Sequence, residues 1–261
     1  MEIVILPTPE EVGRVAAARI ATVISNKPSA VIGLATGSSP QGIYADLKRR
    51  VDAGEVSFGR ARCFALDEYV GIALDHPESY ASVIARDVVT PLGLDPSHVR
   101  VPDGRADDLE FAAKEYEAAI RAAGGIDVQI LGIGANGHIG FNEPTSSFTS
   151  RTRIKTLAPR TREDNARFFD TLEKVPTHCM TQGIGTIMDA RRLVLVAQGK
   201  QKADAIAAVV EGPLSSFVPG SALQLHEHAT VFVDEAAASK LKLADYYRYT
   251  YANKPAWQRD Q

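Results

Sequence analysis

The chain has 261 residues, of which 45% are hydrophobic and 23% charged, so it can bury a large core and fits a single α/β domain. Its formal net charge of −3 gives no support to binding of nucleic acid or of an anionic membrane, because both usually need a clustered basic surface. Cys63 and Cys179 are far apart and lack metal-ligand or redox spacing, which favours a reducing compartment. The N-terminal apolar stretch is too short for a signal peptide, and no apolar run approaches membrane-spanning length. We therefore expect a cytoplasmic protein.

The first third of the chain alternates between strand and helix patterns. Residues 3–6, 30–34 and 62–66 are short apolar runs of the strand type. Between them, a Thr-Pro-Glu-Glu start signal opens a helix from Pro9 to about Ser25, and a second helix runs to about Val51. This alternation predicts an α/β fold with a single open, mostly parallel Rossmann-like sheet and helices on both faces.

The same alternation continues to the end of the chain. The predicted elements are helices at 77–89 and 107–123, a strand at 127–132, a period-two strand at 150–157, helical segments at 161–169 and 180–190, a strand at 193–197, a helix from 199 to about 211, a strand at 230–233 and a helix from 234 to about 242. Periodicity is lost from about Tyr249. We therefore predict one domain over residues 1–248 and a C-terminal tail over residues 249–261.

The most informative stretch is residues 130–144. A strand-like apolar run there breaks into four glycines around His138, and Glu143 follows five residues later. Glycines allow left-handed backbone and close approach of a ligand, so this density at a strand end indicates a site. A carboxylate that accepts the imidazole N–H fixes the tautomer and leaves the other ring nitrogen free to move protons. A glycine-rich turn with a structural histidine is the alternative.

Two further strand ends carry polar residues. Thr36, Gly37, Ser38 and Ser39 lie between a strand and a helix, where free backbone N–H groups and the helix dipole favour a phosphate; a helix capped by Ser39 explains the same pattern without a ligand. Asp67 directly follows the strand at 62–66. Because ligands of open α/β sheets bind outside the carboxyl ends of the strands, Asp67 is a candidate base, with a helix or turn cap as the alternative.

Basic residues recur in the second half of the chain. Arg151, Arg153 and Lys155 share one face of a period-two strand, which fits either a solvated face or an anion site. Lys200 and Lys202 fall in the first turn of a helix, where a cation is mildly unfavourable, so one of them is easier to understand if it faces an anion. An ordinary surface lysine is the other explanation.

Together these motifs resemble the glucosamine-6-phosphate deaminase family, whose members convert glucosamine 6-phosphate to fructose 6-phosphate and ammonia. The matching stretches occur in the family's order over nearly the whole chain, at residues 35–40, 64–71, 132–144, 150–157, 199–203 and 223–226. The blocks around Asp67 and His138 are highly specific together.

The resemblance implies a role for each matching residue. Asp67 would move a proton between carbons 2 and 1 of the opened sugar, His138 would assist ring opening, and Glu143 would orient it. Asn136 stands where many members carry aspartate, so it can only hydrogen-bond. The loop from Thr36 to Ser39 would hold the phosphate, with charge from Arg167 and Lys202. The resemblance implies no metal and no cofactor.

The resemblance also bears on regulation and assembly. In allosteric members, N-acetylglucosamine 6-phosphate binds between subunits of a hexamer through a serine, an arginine and a lysine, which Ser146, Arg153 and Lys155 match. We therefore expect a homo-oligomer, a hexamer as in the allosteric relatives; a monomer is the alternative. A sugar phosphate is the expected partner.

Two other functions fit parts of the sequence. A 6-phosphogluconolactonase also grips a sugar phosphate, but its histidine motif usually lacks the Gly-Phe-Asn-Glu-Pro continuation present at residues 140–144. A non-catalytic sugar-phosphate sensor would not need a base together with a tautomer-fixed imidazole. The combination of Asp67, His138 and Glu143 argues against a sensor.

Overall fold

The structure, a computed structural model, describes residues 1–255 and residue 258. Its strands are β1 Glu2–Leu6, β2 Val31–Leu34, β3 Arg62–Ala65, β4 Asp67–Tyr69, β5 Val99–Arg100, β6 Val128–Leu131, β7 Arg153–Thr156, β8 His178–Thr181, β9 Leu193–Ala197 and β10 Ala229–Asp234. Seven of them form a sheet in the order β1-β10-β9-β6-β2-β3-β5, and every pairing in it is parallel. Nearly every residue of its central strands is buried, as expected for a parallel sheet covered by helices. The predicted α/β fold with a mostly parallel sheet is confirmed.

Helices surround this sheet. They are α1 Pro9–Asn26, α2 Gln41–Asp52, α3 Tyr80–Ile84, α4 Thr90–Leu92, α5 Leu109–Ala122, α6 Pro159–Asn165, α7 Ile184–Met188, α8 Ala203–Val210, α9 Glu235–Ala238 and α10 Ala244–Ala252, and a π-helical turn, Ala85–Val89, joins α3 to α4. The predicted start of α1 is present, because the Thr8 side chain accepts from Glu11 N at 3.2 Å. None of the helices in the described part of the chain is long and apolar enough to cross a membrane.

Helices α1 and α2 contact each other through a pair of glycines. A Cβ placed on Gly13 would lie 2.6 Å from the backbone carbon of Gly42, well inside a contact distance. Gly42 is in the first turn of α2. The backbones therefore touch directly, and the start of α2 is held against α1.

A second, three-stranded antiparallel sheet was not predicted. It has the order β4-β8-β7, with Asp67 opposite Thr181 and Thr181 opposite Arg153. The helical segment predicted over residues 180–190 is therefore wrong in its first part, since Met180 and Thr181 belong to β8. Their backbone partners come from strands distant in sequence, and the local apolar pattern does not reveal such pairing.

The C-terminal part of the chain forms α10, which packs against β1. Lys254 Nζ lies 2.8 Å from the Glu2 carboxylate. The predicted tail over residues 249–261 thus begins inside α10, and residues 256, 257 and 259–261 of it lie outside the described residues. The division at residue 248 stays a prediction.

Candidate active site

The loops with the predicted site residues meet at one edge of the large sheet. Strands β9, β6, β2 and β3 are consecutive neighbours and run parallel, so their carboxyl ends lie side by side. The segments that leave these ends carry Lys202, the loop at residues 132–144, the loop at residues 36–39 and Asp67. The sequence placed each group at a strand end, and the strand order brings them together.

Asp67 is buried, with 6% of its surface exposed, and none of the described residues donates a hydrogen bond to its carboxylate. A Cβ placed on Gly140 would lie 3.6 Å from Asp67 Oδ2, so the carboxylate sits beside the backbone of the His138 loop. Burial, with a smaller contribution from neighbouring Glu68, raises the pKa of Asp67 to about 8.

The capping role considered for Asp67 belongs to the next residue. Glu68 accepts hydrogen bonds from the backbone N–H groups of Tyr80 and Ala81, at 3.0 and 2.9 Å, at the start of α3. It also accepts from Tyr69 N. Glu68 thus fixes the strand to the helix, and the Asp67 carboxylate takes no part in this cap.

The loop after β6 holds His138 beside Glu143. His138 Nδ1 is 3.6 Å from Glu143 Oε2, which is longer than a direct hydrogen bond, and Nδ1 is buried without a hydrogen-bond partner among the described residues. Asn136 Nδ2 donates to the same Glu143 oxygen at 2.8 Å. The glycines have a steric reason here: a Cβ on Gly134 would lie 2.2 Å from His138 Cε1, and Gly137 has φ of +83°.

The Glu143 carboxylate is held from its other side as well. Its Oε1 accepts from Thr161 Oγ1 at 2.5 Å and, more weakly, from Ala158 N at 3.4 Å. Burial by itself would raise the pKa of Glu143, but His138, Thr161 and Asn136 outweigh that effect and lower the pKa to about 2. Glu143 is therefore ionised in the folded protein near neutral pH.

The loop from Thr36 to Ser39 precedes a helix without a side-chain cap. Helix α2 begins at Gln41 with Pro40 at its N-cap position, and no side chain there accepts a backbone N–H. The alternative of a cap by Ser39 is therefore wrong. Gly37 has φ of +92°, and Gly37 and Ser38 are exposed. Uncapped N–H groups at the start of a twelve-residue helix suit an anion.

Two cations lie close to this edge. Lys202 Nζ donates to Ile133 O at 2.6 Å, beside the His138 loop, and burial lowers its pKa. The positive charge of Arg167 contributes to the same lowering, and the negative charge of Asp164 opposes it. Arg167 is exposed, with its guanidinium carbon 4.6 Å from the centre of the Phe168 ring.

The three residues matched to an effector site lie at the second sheet and the segment before it. Ser146 is buried with 3% exposure, and its Oγ has no hydrogen-bond partner in the described part of the chain. Arg153 Nη1 donates to Asn142 Oδ1 at 2.8 Å, and burial lowers the pKa of Arg153. Lys155 is partly exposed. Arg151, on the same predicted face, pairs with Asp189 instead.

Sequence reasoning missed three residues that shape the site. They are Glu68, which anchors the Asp67 strand, Thr161, which holds Glu143, and Thr181, whose Oγ1 accepts from Phe141 N at 3.1 Å. Glu68 lies in the matching block at residues 64–71 but its partners are in α3, and Thr161 and Thr181 stand in no recognisable local motif. No group of three or more metal-ligating side chains suited to a metal ion occurs among residues 1–255 and 258.

A model of the family described as glucosamine-6-phosphate isomerases/6-phosphogluconolactonase matches residues 8–232. The chain belongs to this family. Among family proteins, the glucosamine-6-phosphate deaminases of Streptomyces avermitilis and Mycolicibacterium smegmatis are 58% and 56% identical to it over 259 residues, covering 99% of each chain.

Solved structures of the family agree with this placement. A monomeric glucosamine-6-phosphate deaminase superimposes with a TM-score of 0.90 at 42% identity, covering 92% of this chain and all of that one. The 6-phosphogluconolactonase from Trypanosoma cruzi has a TM-score of 0.75 at 19% identity, covering 92% of this chain and 97% of that one. At that identity the lactonase likeness shows the fold alone.

Proposed function

We propose that the chain catalyses the conversion of glucosamine 6-phosphate and water to fructose 6-phosphate and ammonia. The observation that carries the proposal is identity of 55 to 58% to glucosamine-6-phosphate deaminases over nearly the full length of both chains. The clustering of Asp67, His138 and Glu143 at one sheet edge supports it chemically. The reaction belongs to amino-sugar catabolism.

Asp67 is the proposed base of the isomerisation. It takes the proton from carbon 2 of the opened sugar and returns it to carbon 1, which converts the aldose into a ketose. A carboxylate with a pKa near 8 is a far stronger base than an ordinary aspartate, and its oxygens are free of protein donors. Water then adds to carbon 2 and ammonia leaves from the same carbon, which gives fructose 6-phosphate and ammonia.

His138 is the proposed group for ring opening. Opening the pyranose moves a proton from the hydroxyl of carbon 1 to the ring oxygen, which a neutral imidazole can mediate. The ionised Glu143 lies on the Nδ1 side of the ring, 3.6 Å away, which leaves Nε2 for the sugar, while Asn136 donates to the same Glu143 oxygen. Asn136 has no acidic proton, so it takes no part as a general acid.

The phosphate of the sugar is assigned to the start of α2. The loop from Thr36 to Ser39 offers backbone N–H groups and hydroxyls, and Arg167 and Lys202 supply positive charge. Ser39 and the His138 loop are close, because a Cβ on Gly132 would lie 3.7 Å from Ser39 Cβ. One end of a hexose phosphate at Ser39 thus leaves the other end near His138.

The proposal extends to partners and location. We place the protein in the cytoplasm, with a small sugar phosphate as its partner and no nucleic acid or membrane. Ser146, Arg153 and Lys155 are the proposed contacts for N-acetylglucosamine 6-phosphate in a homo-oligomer. Asp67 of β4 and Arg153 of β7 both lie opposite Thr181 of β8. An effector bound at Arg153 would therefore be separated from the strand of the base by β8 alone.

The deciding experiment supplies glucosamine 6-phosphate and measures fructose 6-phosphate and ammonia together, with 6-phosphogluconolactone as a parallel substrate. We expect equal amounts of both products and no lactone hydrolysis. Asp67→Asn should lower kcat by about 10²–10⁴-fold, the range for loss of a general base, while retaining sugar-phosphate binding by calorimetry. Lactone hydrolysis alone would identify a lactonase, and binding without turnover of either substrate would identify a sensor.

A further inference from the structure

Glu143 connects two parts of the site that differ in function. Its Oε2 faces His138 and Asn136, both within the loop after β6. Its Oε1 faces Thr161 and the backbone N–H of Ala158, which belong to the start of α6. A single buried carboxylate therefore connects the imidazole of His138 to the start of helix α6.

That helix leads directly to the proposed phosphate ligand. Helix α6 ends at Asn165 and continues as a 3-10 turn, Ala166–Phe168, which contains Arg167. Thr161 and Arg167 thus lie on one uninterrupted helical segment, six residues apart. The backbone of this segment therefore connects the exposed Arg167, the proposed phosphate ligand, to Thr161.

The Thr161 hydroxyl is suited to hold the carboxylate. Thr161 is buried with 5% exposure, and its Oγ1 lies 2.5 Å from Glu143 Oε1. Hydrogen bonds to an ionised partner are shorter and stronger than neutral ones, and the low exposure excludes water as a substitute donor. Without this hydroxyl, Oε1 retains only the long contact from Ala158 N.

We infer that Thr161 is a positioning residue: its bond to Glu143 couples phosphate capture by Arg167 to the orientation of His138. The inference rests on the proposed function, because it assigns phosphate to Arg167 and ring opening to His138. It adds that the substrate's phosphate, at the far end of the sugar, helps to set the imidazole that acts on the ring. A sugar without the phosphate would leave Glu143 less well fixed and would be opened slowly even when bound.

The test replaces Thr161 with valine, which keeps the branched shape and removes the hydroxyl. Thr161→Ser restores the donor, and Thr156→Val, at an exposed position of β7, is the matched control. We expect Thr161→Val to lower kcat by about 10- to 100-fold, as for a catalytic group misplaced by roughly an ångström, with KM changed less than kcat. Thr161→Ser should recover most of the loss.

A second readout needs no turnover. The ring ¹⁵N resonances of His138, assigned by comparison with His138→Gln, should move in Thr161→Val and stay in place in Thr156→Val. Inorganic phosphate should shift them in the wild type and much less in Thr161→Val. If Thr161→Val does not fold by circular dichroism, Thr161→Ala takes its place in both measurements.

The outcomes separate the two proposals. An unchanged His138 spectrum in Thr161→Val, or an equal response to phosphate in variant and wild type, would overturn the coupling whatever the activity. A wild type that gives neither fructose 6-phosphate nor ammonia would overturn the proposed function. If the spectra still respond as expected in that case, the link from Arg167 through Thr161 and Glu143 to His138 holds for another phosphorylated sugar.

Discussion

Two carboxylates in the candidate site have opposite electrostatic surroundings. Asp67 is buried without a donor, which raises its pKa to about 8, whereas Glu143 is surrounded by His138, Thr161 and Asn136, and its pKa falls to about 2. One group is ready to exchange a proton near neutral pH, and the other keeps its charge. Pairs of titratable groups driven apart in this way are typical of acid–base sites.

The raised pKa of Asp67 makes a prediction about stability. In the unfolded chain an aspartate has its ordinary pKa, near 4, so between about pH 4 and pH 8 the folded protein binds more protons than the unfolded one. The burial of Asp67 therefore costs more stability as pH rises through this window. Asp67→Asn cannot ionise and avoids this cost, so the Tm of the variant minus that of the wild type should grow from about pH 4 to pH 8 and then level off.

Scanning calorimetry of both proteins across that range measures the difference. Asp75→Asn, at an exposed position, is the control and should show no such trend. A Tm difference between Asp67→Asn and the wild type that stays constant with pH would mean that Asp67 ionises at its ordinary pKa. That result would contradict the proposal that Asp67 is an unusually strong base.

At the scale of elements, one buried glutamate ties the small sheet to the helical layer. Glu117 of α5 accepts through Oε1 from the backbone N–H of Thr152 at 2.9 Å and from the Thr152 hydroxyl at 2.6 Å. It also accepts from Thr186 Oγ1 in α7. These bonds fix the residue just before β7 to two helices.

Removal of this carboxylate should be costly. In Glu117→Ala the donors of Thr152 and Thr186 are left buried and unsatisfied, so we expect a loss of unfolding free energy of at least about 1–3 kcal/mol. The urea midpoint measures it. Glu115→Ala, exposed on the same helix, should change the midpoint little. Equal midpoints for the two variants would show that Glu117 does not anchor β7.

The elements that the sequence predicted correctly are those whose pattern is local. The strands of the large sheet are apolar runs bounded by turns, and Asp67 and His138 could be placed at one edge because each follows such a strand. Thr181 and Met180 could not be predicted as strand, since the bonds that make them β8 come from β4 and β7. Thr161 was missed for the same reason: its partner Glu143 is 18 residues away and its own neighbours carry no motif.

At the scale of the whole molecule, the proposed effector site makes regulation depend on assembly. The effector site of allosteric relatives lies between subunits, whereas the structural relative at 42% identity is monomeric. Sedimentation velocity distinguishes a 28.1 kDa monomer from a hexamer directly. We expect activation by N-acetylglucosamine 6-phosphate only if the protein is an oligomer, and Arg153→Gln should then abolish it.

Two results would contradict that prediction. A monomer whose kcat/KM responds to the acetylated sugar would place the effector site within one chain. A hexamer that does not respond would remove Ser146, Arg153 and Lys155 from the effector proposal. Where activation is seen, Lys155→Gln, at a partly exposed position of β7, serves as the second variant and should weaken it.

The contact between Gly13 and Gly42 makes the start of α2 sensitive to substitution at a position outside the site. Because no side chain separates the two backbones, even a methyl group on Gly13 would push the first turn of α2 away from α1. The proposed phosphate loop immediately precedes that turn. A change at Gly13, which lies outside the candidate site, would therefore act on the proposed phosphate loop through the backbone of α2.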